Sequence, residues 1–362
     1  IWSSGADGGN VIEGGVASRL SAGRNVYTNL TGNSGSLVAT TNRVIETNNA
    51  LTPALFGLDP ASPTVADDLE SMIRFARGVD DDGAARKILG DPLHSPPLVA
   101  TFSSSTGDDL MLFFVTNDGY FHAIDPTPSD PAGSSDLEEF AFIPRELLGQ
   151  LRMIRDNTPT TADQFTKAYG LDGPITSWIK NDDGDSVVES GESLFVFFGM
   201  RRGGDKYFAI DLTNRSAPRL AWTIDGSSGD FAALGQSWSA ATVANIGGSG
   251  SSRAVLIFGG GYDTNQDSGN TPDNDGNAVF IVDAETGSLL WSASDSDADL
   301  NVPEMTYSIP SDVRVLDVNQ DGLVDRLYVG DMGAQVFRFD IDNDTLSGGF
   351  PTITGGRLAD LG

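Results

Sequence analysis

The chain of 362 residues has no cysteine, two histidines and only 22 Lys+Arg against 51 Asp+Glu, a formal net charge of −29. Each scarcity excludes something. Without cysteine there is no disulfide framework, thiol nucleophile or Cys-type zinc site. With so few cations, the surface repels phosphate backbones and anionic lipid headgroups, whose binding depends on Lys and Arg displacing counterions. Nucleic acid is therefore not an expected partner. Long apolar runs are missing as well. Stretches such as Leu194–Gly199 and Ala254–Phe258 fall far short of the roughly 20 residues of a spanning helix, so direct membrane insertion is not expected. The first residue is Ile1, and no charged region followed by an apolar one succeeds it, so the chain reads as a processed or excised piece of a larger protein.

Glycine (43) and proline (17) are plentiful, which favours turns over long helices, while 39% hydrophobic residues suffice for a large core. Between the turns lie short apolar bursts at Met111–Thr116, Leu194–Gly199, Ala254–Phe258, Ala278–Val282 and Arg326–Val329, of strand length rather than helix length. They belong to a repeated hairpin that closes on an aspartate: Leu112–Asp125, Phe195–Asp211, Val255–Asp283 and Arg326–Asp340. The closing aspartates are 86, 72 and 57 positions apart, more than a minimal propeller blade of about 40–50 residues, so insertions must decorate the units. Repeated hairpins of this kind suit an all-β fold, a β-propeller whose small sheets bury their faces on one another. Helices are expected only at the periphery, over 67–78 and from Pro144 to Arg155. Residues 1–88, with one early strand at Asn25–Thr28 and the first helix, are read as a segment leading into a propeller over 89–362.

The sharpest local signal is Asp317-Val-Asn-Gln-Asp-Gly-Leu-Val-Asp325. Side-chain oxygens fall at positions 1, 3, 5 and 9, glycine stands sixth, and Val324 offers an apolar anchor. Calcium takes six to eight oxygens, and this spacing turns Asp317, Asn319, Asp321 and Asp325 inward, with the Leu323 carbonyl in a further place. Magnesium, which keeps its waters and a stricter octahedron, fits less well. The same slots recur imperfectly as Asn181, Asp183, Asp185, the Val187 carbonyl and Glu189, with Ser186 where glycine belongs; a second calcium loop and an ordinary acidic turn both remain open there. Asp263–Asp267 shares the alternation but has Asn270 in the apolar slot and reads as a solvated loop.

Catalytic constellations are absent from the pattern. There is no Gly-x-Ser-x-Gly elbow, no phosphate-cradling loop with a following lysine and no His-Glu-x-x-His. His94 and His122 lie on or beside strands and read as satisfied structural residues, and Gly259–Gly261 opens no helix. No enzymatic activity and no organic cofactor are expected.

Several strings together carry a family resemblance. They include Gly90-Asp-Pro-Leu-His-Ser-Pro-Pro97, Asn117–Asp125, Ala141-Phe-Ile-Pro-Arg-Glu-Leu-Leu148, Tyr169–Pro174 and Phe198-Gly-Met-Arg-Arg-Gly-Gly204. Further along come Gly235-Gln-Ser-Trp-Ser239, Ile257–Tyr262, the Asp317–Asp325 loop and Phe337-Arg-Phe-Asp340, with Ile1–Ala6 and Arg24–Tyr27 fitting at the start. The chain resembles the C-terminal domain of the PilY/PilC family of type IV pilus biogenesis and tip-adhesin proteins. That resemblance implies a modified, quinoprotein-like propeller of seven blades and a calcium loop at Asp317, Asn319, Asp321, Leu323 and Asp325. It also implies work with minor pilins at the pilus tip, in pilus biogenesis, the balance of extension and retraction, and attachment to a host or abiotic surface. The expected place is the cell surface of a Gram-negative bacterium, reached through the periplasm. Two rival resemblances exist. Val282-Asp-Ala-Glu-Thr-Gly-Ser-Leu-Leu-Trp291 is similar to the tryptophan-docking repeat of pyrroloquinoline quinone dehydrogenases, but occurs once in this strong form. An integrin-like FG-GAP propeller shares the calcium loop but would need it in successive blades.

Overall fold

The apolar bursts form the inner strands of small sheets. The computed structural model describes residues 15–105, 109–126, 137–156, 168–227, 229–248, 252–269 and 271–362; the Ile1–Ala6 string and Asn270 lie outside them. Two short strands come first, β1 (Val26–Tyr27) and β2 (Gly35–Ser36), then helix α1 (Val65–Ala76). A run of four follows, β3 (Leu98–Phe102), β4 (Asp109–Val115), β5 (Phe121–Ile124) and β6 (Glu138–Phe142), then helix α2 (Leu151–Asp156). Next are β7 (Ile175–Lys180), β8 (Val187–Val188), β9 (Ser193–Gly199), β10 (Lys206–Asp211) and β11 (Arg219–Asp225). The third group is β12 (Thr242–Ile246), β13 (Arg253–Gly259), β14 (Ala278–Asp283), β15 (Leu289–Ser294) and β16 (Leu300–Asn301). The last is β17 (Arg314–Leu316), β18 (Arg326–Gly330), β19 (Gln335–Ser347) and β20 (Phe350–Asp360).

The chain forms two compact units, one of Ile1–Asp172, Ile179–Leu194 and Asp211–Leu220, the other of Gly173–Trp178, Phe195–Ile210 and Ala221–Gly362. In the first, the sheet order is β1-β6-β5-β4-β3-β8, with β1 parallel to β6 (Val26↔Ala141). The early strand expected at Asn25–Thr28 thus adds to the sheet of β3–β6, and β2 pairs with Arg219 and Leu220. Helix α1 has Asp67 and Asp68 in its first turn and Arg74 in its last, as the helix dipole favours, and buries Met72, Ile73 and Ala76. The helix expected from Pro144 starts as a 3-10 turn over Arg145–Gln150 and becomes α-helical only in α2. A buried ionic chain crosses this sheet: Arg24 donates from Nε and Nη2 to Glu138 (2.6 and 3.0 Å), whose Oε1 lies 2.7 Å from His122 Nδ1. Thr116 Oγ1 lies 3.1 Å from the other ring nitrogen. His122 is therefore a satisfied structural residue, and His94 pairs with Asp172 at 2.8 Å.

In the second unit β13 explains why the bursts are continuous rather than alternating. Leu256 and Phe258 pack with Phe197, Tyr207 and Trp222 of β9–β11, whereas Val255 and Ile257 pack with Leu327, Phe337 and Phe339 of β18 and β19. Both faces of the β12–β16 sheet are covered, so nearly every residue of its inner strands is apolar, as in other doubly buried strands. Among the described residues, the β17–β20 sheet is covered on one face, and β19 alternates buried Phe337 and Phe339 with Arg338 and Asp340. The closing aspartates occupy one topological place. Asp211, Asp283 and Asp340 sit on the third strand of the orders β7-β9-β10-β11, β12-β13-β14-β15 and β17-β18-β19-β20, and Asp125 immediately follows β5, the third strand of β3-β4-β5-β6. Asp283 ends β14 opposite Val255, while Asp340 lies mid-strand opposite Arg326 because β19 runs on to Ser347.

Candidate metal centre

The Asp317–Asp325 loop closes the β17–β18 hairpin, where Leu316 faces Arg326 across the last pair. Val324, 6% exposed, enters the core beside Leu327 and Phe339, and its N–H donates to Asn245 O at 2.8 Å. That fixes one end. The polar side chains then fold back on the loop's own backbone. Asp317 accepts from the N–H of Gln320 (2.6 Å) and of Gly322 (2.8 Å); Asp321 Oδ1 accepts from Leu323 N–H (2.8 Å). Asp325 Oδ2 accepts from Val318 N–H at 2.7 Å, and Asn319 bridges to Asp321 through both amide atoms at 3.0 Å. Positions four and six are left-handed, Gln320 at φ 64° and Gly322 at φ 88°, the second being a conformation for which glycine is the ordinary choice.

The 181–189 loop between β7 and β8 repeats this winding with different residues. Gly184 (φ 105°) and Ser186 (φ 62°) occupy the same fourth and sixth places, so serine adopts the turn in which glycine was expected. Asp182 Oδ1 accepts from the N–H of Gly184 (2.9 Å) and Ser186 (3.3 Å), the part Asp317 plays in the other loop. Asp185 Oδ1 accepts from Val187 N–H at 2.7 Å, as Asp321 does from Leu323. Asn181 instead donates its amide to Gly191 O, and the ninth-position part falls to Glu192, which accepts from Asp183 and Glu189 N–H at 3.2 and 2.9 Å.

Among the described residues, the set of three carboxylates whose oxygens all come within 4.8 Å of one another is Asp182, Asp183 and Asp185, all exposed. The structure thus joins the expected Asp183 and Asp185 to Asp182, which the spacing passed over, and leaves the carboxylate of Glu189 outside that set. Asp317, Asp321 and Asp325 are spread wider. The donors in both loops are hard oxygens without nitrogen or sulfur, which suits calcium chemically. The Asp263 loop has a different use: the buried Asp263 accepts from Asn265 N–H at 2.9 Å and caps a 3-10 turn over Thr264–Asp267.

Residues 86–354 match the family model of the PilY1 beta-propeller domain. The chain belongs to that family. The sheets described above accordingly form an all-β, propeller-like fold. Its relatives include the type IV pilus biogenesis factor PilY1 of Pseudomonas aeruginosa strain UCBPP-PA14, 25% identical over 296 residues, covering 76% of this chain and 22% of the relative. A type IV pilus biogenesis factor PilY1 homolog of Xylella fastidiosa strain Temecula1 is 27% identical over 238 residues, 64% of this chain and 14% of its own. This chain therefore spans less than a quarter of these relatives. The crystal structure of the Pseudomonas aeruginosa PilY1 C-terminal domain aligns with a TM-score of 0.41 at 23% identity, over 64% of this chain and 38% of that one.

Proposed function

We propose that this chain is a calcium-binding propeller module of a type IV pilus biogenesis protein and has no enzymatic activity. The relatives are named for pilus biogenesis and not for a reaction, and the sequence has no Gly-x-Ser-x-Gly, phosphate-loop or His-Glu-x-x-His motif. The observation that supports calcium most is the Asp317–Asp325 loop: oxygen donors at alternate positions, two left-handed residues between them, and Val324 pinned in the core. Asp317, Asn319, Asp321, the Leu323 carbonyl and Asp325 would hold the ion. The ion would supply positive charge that offsets repulsion among three carboxylates and so stiffens the hairpin. Asp182, Asp183 and Asp185 are the second candidate set, favoured by the closeness of their oxygens. The dehydrogenase-like string has a structural use. Trp222 Nε1 donates to Ala284 O at 3.1 Å and its ring lies on Gly287, while Trp291 is buried against Phe339.

In the cell, the module would act at the pilus with minor pilins, its calcium state biasing extension against retraction and supporting surface attachment. No described helix is long and apolar enough to cross a membrane. Cells carrying Asp317→Ala should keep normal levels of the protein but show altered surface piliation and twitching. Unchanged piliation alongside lost calcium binding would separate the metal from the pilus role.

A further inference from the structure

Strand β15 breaks the apolar pattern of its sheet. Leu289 and Trp291 are followed by Ser292 and Ser294, both more than nine-tenths buried, and then by Asp295-Ser-Asp-Ala-Asp299. The small side chains leave room. Phe280 pairs with Ser292 and Ala278 with Ser294 across β14 and β15, and all four line a cleft of about 600 Å³. Phe280 and Leu289 give the cleft an apolar side, and Asp230, Asp295, Asp297 and Asp299 an acidic one. Among the described residues, no lysine, arginine or histidine lines it. Asn277, 4% exposed, donates from Nδ2 to Asp295 Oδ1 (3.1 Å) and Met305 O (2.9 Å). Its Oδ1 has no hydrogen-bond partner among the described residues, and it is not one of the atoms sealed from solvent, so it faces the cleft that Asn277 lines. The Ser292 hydroxyl, on a residue 8% exposed, is in the same position, whereas Ser294 Oγ already donates to Asn277 O at 2.9 Å. Asp295 and Asp299 each bond the fold through one oxygen, Asp295 Oδ1 to Asn277 and Ser294 and Asp299 Oδ2 to Ser292 N–H at 2.9 Å, and each keeps the other. Polar atoms this deep without a partner are rare, because burial removes most of the water that would serve them.

Acceptors in excess call for a ligand rich in donors, and carboxylates without a nearby cation call for a charged one. No three of these carboxylates close to within 4.8 Å of one another, as Asp182, Asp183 and Asp185 do, so the cleft suits an elongated organic cation better than a bare metal ion. We infer that it binds an alkyl chain bearing protonated nitrogens. One charged end goes to Asn277 Oδ1, Ser292 Oγ, Asp295 and Asp299, the alkyl part to Phe280 and Leu289, and a second charge to the exposed Asp230 and Asp297. A free polyamine and an arginine- or lysine-bearing protein segment share this chemistry, and the volume, within the roughly 300–1,000 Å³ of small-ligand sites, admits either.

Calorimetric titration of the whole chain at about 150 mM salt, which screens general attraction to its acidic surface, tests this. The probes are spermidine, acetyl-Arg-Ala-Arg-amide and the same peptide with citrulline in place of arginine. Spermidine or the arginine peptide should bind once per chain, at least roughly tenfold more tightly than the citrulline peptide, which keeps the shape without the charge. Tighter spermidine identifies a free polyamine as the ligand; a tighter arginine peptide identifies a protein segment. Asp299→Asn, which keeps the side-chain shape, should weaken the better ligand about tenfold. Ser292→Leu, which fills the cleft without changing its charge, should abolish binding in a chain whose circular dichroism stays folded. Asp182→Asn, which removes the same charge from the 181–189 loop, should leave binding unchanged. Equal binding of the citrulline peptide, equal effects of Asp182→Asn and Asp299→Asn, or no binding up to about 10 mM, tenfold beyond a weak millimolar ligand, would overturn the inference.

Discussion

Glu138 shows how much one residue can hold. Burial pushes its carboxyl pKa up, but the Arg24 guanidinium and the His122 contact more than reverse this and bring it down to about 2. A folded pKa below the unfolded one means stability that is complete above the unfolded value of 4.5 and is lost as pH falls toward 2. Glu138→Gln should cost about 3–5 kcal/mol at neutral pH, because it strands the Arg24 charge in the core. It should also flatten the loss of stability between pH 4.5 and 2; urea unfolding of both proteins across that range checks both points. None of this was legible in the sequence. Arg24 and Glu138 lie 114 positions apart, and nothing in the local pattern around either signals a partner. The second acidic loop was half legible. Alternation found Asp183 and Asp185, but it could not show that Asn181 turns to Gly191 and hands its part to Asp182, nor that Glu192 rather than Glu189 reaches back to the loop amides.

At the scale of elements, strands were the easiest to read, because β13 and β14 are covered on both faces and so spell unbroken apolar runs. The shared place of the closing aspartates was also readable, since each follows the same hairpin. What joins neighbouring sheets was not. The string 282–291 suggested a docking motif without saying which tryptophan docks; Trp222 does, with its indole N–H on Ala284 O and its ring so close that a Cβ on Gly287 would lie 2.7 Å from it. Trp222→Ala should destabilise the chain by about 3–5 kcal/mol, as buried aromatic truncations do. Denaturant unfolding measures it, and a loss under about 1 kcal/mol would mean the clasp is dispensable. Gly322→Ala is the counterpart in the Asp317–Asp325 hairpin. Open space surrounds the glycine, so only its left-handed backbone resists, a cost of about 1 kcal/mol. The core should stay intact while the response to calcium weakens.

For the molecule as a whole, the net charge of −29 dominates. Self-repulsion opposes the compact state, so moderate salt should raise the melting temperature by screening, whichever cation is used. The proposed calcium site would add an effect that stands apart, because it would saturate and follow RT ln(1 + [L]/Kd), about 2.7 kcal/mol at a hundredfold excess over Kd. Magnesium at the same ionic strength should reproduce only the screening part. The most direct test is calcium calorimetry on the wild-type chain beside Asp317→Ala, with Asp183→Ala as the control for the 181–189 loop. Asp317→Ala should lose one binding event, with a Kd anywhere from about micromolar to millimolar, and keep its folded circular-dichroism spectrum. The same number of calcium ions bound with the same affinity in wild type and Asp317→Ala would contradict calcium binding at this loop.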